Sequence, residues 1–132
     1  MTERRWPATR DTDAAVARVL GWEHVELHPT WDEYYGFSPM SGDPAPRVRI
    51  PHYATADEYD SDAWGEMIKW LNEHAILPLD LATKFGGSAK ALLFISRDEG
   101  QRSIEILEYG ITIGHALACA VLSVAEQLRE GE

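Results

Sequence analysis

Apolar positions along this 132-residue chain follow two alternating rhythms, one helical and one extended. Val16, Val19 and Leu20 recur at helical spacing behind Thr12, a cap-type residue, and Gly21 is placed to end the turn. This predicts a short first helix over 13–20. Residues 1–11 mix Arg, Trp and Pro without a period and are expected to form a loose N-terminal arm ahead of one domain, 12–132.

Between 22 and 50, aromatic and β-branched residues alternate with Pro and Gly. Trp22, His24 or Val25, and Leu27, then Trp31, Tyr34, Tyr35 and Phe37, predict one or two short strands. A turn at 41–44 leads to a further extended run at 47–50, so an antiparallel hairpin is expected here. Pro51 offers no amide donor, which ends that strand or places it at an edge.

The second helix is the most regular pattern in the chain. Trp64, Met67, Ile68, Leu71 and Ala75 follow i, i+3, i+4, i+7 and i+11, acids at 60 and 62 suit the positive end of the dipole, and Pro78 stops the helix. One helical turn is expected within 79–87, before Gly86 and Gly87. Strand-like runs at 91–96 and 103–108 flank a polar, Gly-containing link at 97–100, which predicts a second hairpin. A third helix opens at Thr112 and lines up Ile113, Leu117, Ala120, Val121, Val124 and Leu128. Burial is satisfied by an α+β fold: a small, mostly antiparallel sheet of about four strands covered by about three helices, in the manner of an α/β/α sandwich.

With 45% hydrophobic and 26% charged residues the chain reads as globular, long enough to bury its own core. The longest apolar stretch, 113–125, is broken by Gly114, His115 and Ser123 and is too short to span a bilayer. Arg4, Arg5 and Arg10 are followed by acids rather than an apolar run, so no secretory leader is expected. The lone Cys119 lies in a helical apolar run and reads as a buried thiol. A cytoplasmic setting, with no membrane partner, is the expectation. The net charge of -10 excludes a binder that tracks nucleic-acid phosphates with Lys and Arg.

Three stretches, taken in order, resemble the small bacteriophage alpha/beta/alpha sandwich domain family. They are Ala14-Ala15-Val16-Ala17-Arg18-Val19-Leu20-Gly21-Trp22, then Ile50-Pro51-His52-Tyr53-Ala54-Thr55 with Ala63-Trp64, and finally Thr112-Ile113-Gly114-His115-Ala116-Leu117-Ala118-Cys119-Ala120-Val121-Leu122. The chain departs from that pattern in a longer link at 56–62 and in the long segment at 76–90. The resemblance implies a phage or prophage origin and a sandwich fold, and it carries over no catalytic residue, cofactor or metal.

Motifs with known chemistry fail on inspection. An EF-hand read from Asp60 has Asp62 and Gly65 in place, but Trp64 and Leu71 stand where oxygen ligands belong. His24 and His28 have a zinc-helix spacing, yet Pro29 and the strand-like neighbours argue against a helix there. His52, His74 and His115 are scattered and read as surface or partly buried histidines. Gly86-Gly87-Ser88-Ala89-Lys90 lacks the Gly-Lys-Ser/Thr order of a phosphate loop, and no Gly-x-Ser-x-Gly elbow exposes a nucleophile. Glu105 and Glu108, three apart on a strand, point to opposite faces.

What remains is a set of aromatics and arginines: Trp31, Tyr34, Tyr35, Arg47, Arg49, His52, Tyr53 and Tyr59. Arg47 and Arg49 share one face of a strand, where their forks would hold phosphate or carboxylate while a ring stacks on a base. The candidate ligand-binding residues are Arg47, Arg49, His52, Tyr53 and Tyr35. Two other readings stay open. Trp22, Trp31, Tyr53, Trp64 and Trp70 would serve equally as core, and aromatics also gather at homo-oligomer contacts. The expected function is that of a non-enzymatic phage accessory protein binding a small, nucleotide-like ligand, as in counter-defence. The alternative is an acidic inhibitor that covers a basic host protein surface, with acids clustered over 57–66.

Overall fold

The computed structural model describes residues 6–30, 33–37, 47–54, 61–76, 79–83, 89–97 and 102–130. Among them lie three helices and six strands, the strands forming two separate three-stranded antiparallel sheets. The α+β class is as the sequence suggests. The strand count is higher, and one small sheet is replaced by two. The expected turn at 41–44, the acids at 57–60, Pro78, Gly86 to Ser88, and Trp31 and Tyr59 fall outside the described residues.

Helix α1 is Arg10–Val19, three residues ahead of the expected start. Thr9, not Thr12, is its N-cap, in extended conformation with its side chain accepting from the Thr12 N–H, while Thr12 itself is 5% exposed. Asp11 and Asp13 occupy the positive first turn. The far end closes in a Schellman arrangement: Gly21 N–H donates to Arg18 O and Trp22 N–H to Ala17 O, with Gly21 at φ 106°. Residues 8 and 9 were expected in a loose arm, but the Thr9 amide donates to Pro7 O and begins the cap.

Strand β1 (Glu23–His28) pairs with β2 (Glu33–Phe37), and β2 pairs with the two-residue β3 (Val48–Arg49). A bulge between Glu23 and Glu26 is built on His24, the one described non-glycine residue at positive φ. Side-chain alternation sends Val25 and Ile50 inward and leaves Glu26, Tyr35 and Arg49 in one outward row.

Helix α2 (Ser61–His74) buries Ala63, Met67 and Leu71 completely, with Trp64 and Ile68 half-buried beside them. Ala75, expected on the same stripe, has left the helix and bridges to Ile95. Where the sequence suggests a helical turn, residues 80–83 instead form strand β4 (Asp80–Thr83) on the edge of β5 (Ala89–Arg97). Four residues are too few to show a period, and backbone pairing with a long neighbour decides the conformation. β5 also pairs through all its length with β6 (Arg102–Gly110), without a bulge.

Helix α3 (Ile113–Glu130) is capped by Thr112, whose hydroxyl accepts from the His115 N–H at 3.1 Å. It packs on β5 and β6 and also against α1 and α2. Every residue from 114 to 124 is buried, so α3 is a central helix rather than a one-sided lid. Its small residues permit close approach: a Cβ on Gly110, at the end of β6, would stand 2.4 Å from the Ala116 nitrogen. No helix among the described residues is long and apolar enough to cross a membrane.

Candidate functional site

Antiparallel register places Glu26 opposite Tyr35 and Tyr35 opposite Arg49 on the outer face of the first sheet. Around this row, His28 meets the Tyr35 ring edge-on at 5.8 Å and His24 meets Phe37 at 5.7 Å. Arg47 lies over the Phe37 ring at 5.6 Å and donates through Nη2 to Glu26 at 3.0 Å. Arg47 and Arg49 are both exposed, and so is Val48 between them on this short edge strand. The Arg49 side chain makes no hydrogen bond or close ion pair with a described residue, and its charge is felt by Glu33.

The five residues singled out from sequence therefore separate. Tyr35, Arg47 and Arg49 come together on this face. His52 is exposed beyond the end of β3, past Pro51. Tyr53 is fully buried, and it is a core residue rather than a wall of a surface site. Its hydroxyl accepts from Trp22 Nε1 at 3.0 Å and donates to Glu66 Oε2 at 2.7 Å. Burial first, then the Glu66 hydrogen bond and charge, push that hydroxyl far above its ordinary pKa of 10.0, so it stays protonated.

Two further polar clusters were not legible in the sequence. Arg10 gives all five guanidinium N–H groups to protein acceptors: Glu33 Oε1 receives two, at 2.7 and 2.5 Å, and Asp13 Oδ2, Pro51 O and Ile50 O receive one each at 2.6, 3.1 and 2.9 Å. A saturated guanidinium has nothing left for a ligand, so Arg10 is a clasp between α1, β2 and the end of β3. Burial pushes the Glu33 carboxyl up, but bonds from Arg10 and the Tyr34 N–H, and the charges of Arg10 and Arg49, outweigh it and hold the group below its ordinary value.

The second cluster is His115, 1% exposed. Its Nδ1 accepts from the Ile111 N–H at 3.1 Å, which leaves Nε2 as the donor to Trp6 O at 2.7 Å. This hydrogen-bond pattern assigns the Nε2–H tautomer. Cys119, buried as its apolar run suggested, also reaches Trp6 O, at 3.5 Å. His24 and His28 lie on a strand, and no group of three His, Cys, Asp or Glu among the described residues could hold a metal.

A separate groove of about 720 Å³ runs between α1 and α3, with Trp6 and Trp70 in its wall. Ala15, Val19, Leu122, Ala125 and Leu128 make it apolar, and Arg18 and Glu126 are its charged members. The Arg18 guanidinium is partly committed, donating to Val25 O at 3.0 Å.

Family models, curated proteins and solved structures were each compared with this chain, and none matches it.

Proposed function

We propose that this protein is a non-enzymatic binding protein whose ligand carries an anionic group and a flat ring, the combination found in nucleotides, and that the ligand seats on the outer face of the first sheet. The observation that carries this reading is Arg49: an exposed guanidinium that makes no side-chain hydrogen bond or close ion pair with a described residue and whose charge is felt by Glu33, directly across the ladder from Tyr35. Arg47 stands on the same face, two residues along. Its bond to Glu26 is an exposed pair, with side-chain exposures of 43% and 64%, and such pairs exchange readily for a stronger anion. Tyr35, His28 and Phe37 supply ring surface beside the two forks.

The face is open, which sets the scale. Charge-assisted hydrogen bonds contribute about 1.5–3 kcal/mol each and ring contacts about 0.5–1 kcal/mol, against the cost of association. Weak, fast-exchanging binding of a free nucleotide is the result. The accessory role, holding a ligand without transforming it, is supported by the recognition chemistry of this face and by the sequence resemblance to small phage proteins.

Calorimetric titration with nucleoside mono- and diphosphates tests the reading. Binding lost in the Arg47→Ala, Arg49→Ala double variant and kept in Trp70→Ala, which alters the separate groove, supports it. Binding that survives the double variant and fails in Trp70→Ala moves the site to the groove and overturns the assignment.

A further inference from the structure

β6 is the outermost strand of the second sheet, in the order β4-β5-β6, and no described strand lies beyond it. Proteins usually blunt such an edge with Pro, Lys, a bulge or a very short strand. Arg102–Gly110 is nine residues long, has neither Pro nor Lys, keeps one register with β5 throughout, and carries Arg102, Glu105 and Glu108 as its only charges. The two faces of the sheet also differ. Ile106 faces the core at 3% exposure and α3 packs on that side, whereas Leu107 and Tyr109 point outward at 39% and 44%. On β5 the outward neighbours are Leu92, opposite Leu107, and Phe94, opposite Glu105. The result is an outer face with an apolar patch at Leu92, Phe94, Leu107 and Tyr109, bordered by Lys90 and Glu105, that ends at an edge unpaired among the described residues.

We propose that this edge is an interface between two copies of the chain, with β6 pairing antiparallel to β6 about a two-fold axis at Leu107 so that two three-stranded sheets become one of six. A two-fold axis lets identical strands complete each other's ladder, and the side chains select the register. Centring on Glu105 or on Glu108 sets like carboxylates directly opposite, which is unfavourable. Centring on Ile106 opposes each Leu107 with a Glu105. Centring on Leu107 sets the two Leu107 side chains together, flanked on each side by Leu92, and places Glu105 opposite the second copy's Tyr109. Lys90 is the ladder partner of Tyr109, so in this register it lies one strand further on the same face and faces the second copy's Glu105 across the tyrosine ring. For a chain of net charge -10, this is an edge where a cation meets an anion in both directions.

Sedimentation velocity over micromolar to millimolar protein tests the proposal, with circular dichroism to show that each variant is folded. The wild-type mass is expected to rise from 14.8 kDa to twice that value, and Leu107→Lys, an exposed outward position, to remain at the lower mass throughout. Glu105→Lys and Lys90→Glu are each expected to weaken association about fivefold or more, and the two together to restore it. A wild-type protein that stays at 14.8 kDa over the whole range overturns the proposal. A dimer that persists in Leu107→Lys, or a double charge swap no better than the single ones, overturns it equally.

Discussion

Arg10 and Asp13 stand one turn apart on α1 and are joined at 2.6 Å, and the other Asp13 oxygen receives the Ala54 N–H at 2.5 Å. Asp13 is 0% exposed. A carboxylate with no access to water is stable only while its partners hold, so this pair ties the first helix to the segment that leaves β3. Removing the cation would take the Arg10 ion pair from a buried charge. Arg10→Met is expected to cost about 3–5 kcal/mol in urea unfolding. A loss below about 1 kcal/mol would show that Asp13 does not depend on Arg10.

Glu33 gives the fold an acid dependence of known sign. Its carboxyl titrates below the ordinary 4.5 in the folded protein, so its stabilising contribution is complete above 4.5 and is lost as pH falls through the lower folded value. Thermal melts of wild type and Glu33→Gln should therefore converge as the solution is acidified below pH 4.5, with the wild type the more stable above it. Parallel curves at all pH values would sink this assignment.

Tyr53 should behave unlike an exposed tyrosine. Among the five tyrosines of the chain, its hydroxyl is held protonated by burial and by Glu66, so the alkaline absorbance titration of the folded protein should leave it out until the fold opens. Tyr53→Phe should remove that delayed step and cost about 1–2 kcal/mol, because Trp22 Nε1 and Glu66 both lose their partner. All five titrating together, with no late step, is the outcome that contradicts it.

These elements show which physical features a sequence displays. α2, α3 and the β5–β6 hairpin were legible because each is long enough to repeat its own period several times. The start of α1 was misplaced because Thr9 and Thr12 are both competent caps, and the choice depends on Thr12 being packed away at 5% exposure. β4 was misread because a four-residue element shows no period of its own. The two sheets could not be told from one, since pairing partners are set by packing around α3 rather than by local pattern.

The polar clusters were illegible for a different reason. Apart from Asp13, one turn along α1, Arg10 finds its acceptors 23, 40 and 41 residues away, and the Nε2 of His115 finds Trp6 at a separation of 109. No local spacing encodes such contacts. Tyr53 had both readings open, pocket or core, and its burial decides for core. Arg47 and Arg49 share one face by strand alternation, which is a local rule, whereas the neighbourhood of Tyr35 depends on the ladder, which sets it opposite Arg49.

Amide-detected NMR titration with a nucleoside diphosphate reads out the proposed recognition of a nucleotide-like ligand on the outer face of the first sheet. Saturable shift changes centred on Tyr35, Arg47, Val48 and Arg49, absent in the Arg47→Ala, Arg49→Ala variant, are expected. No saturable change at these residues, or changes confined to the walls of the α1–α3 groove, would rule out this face as the binding site.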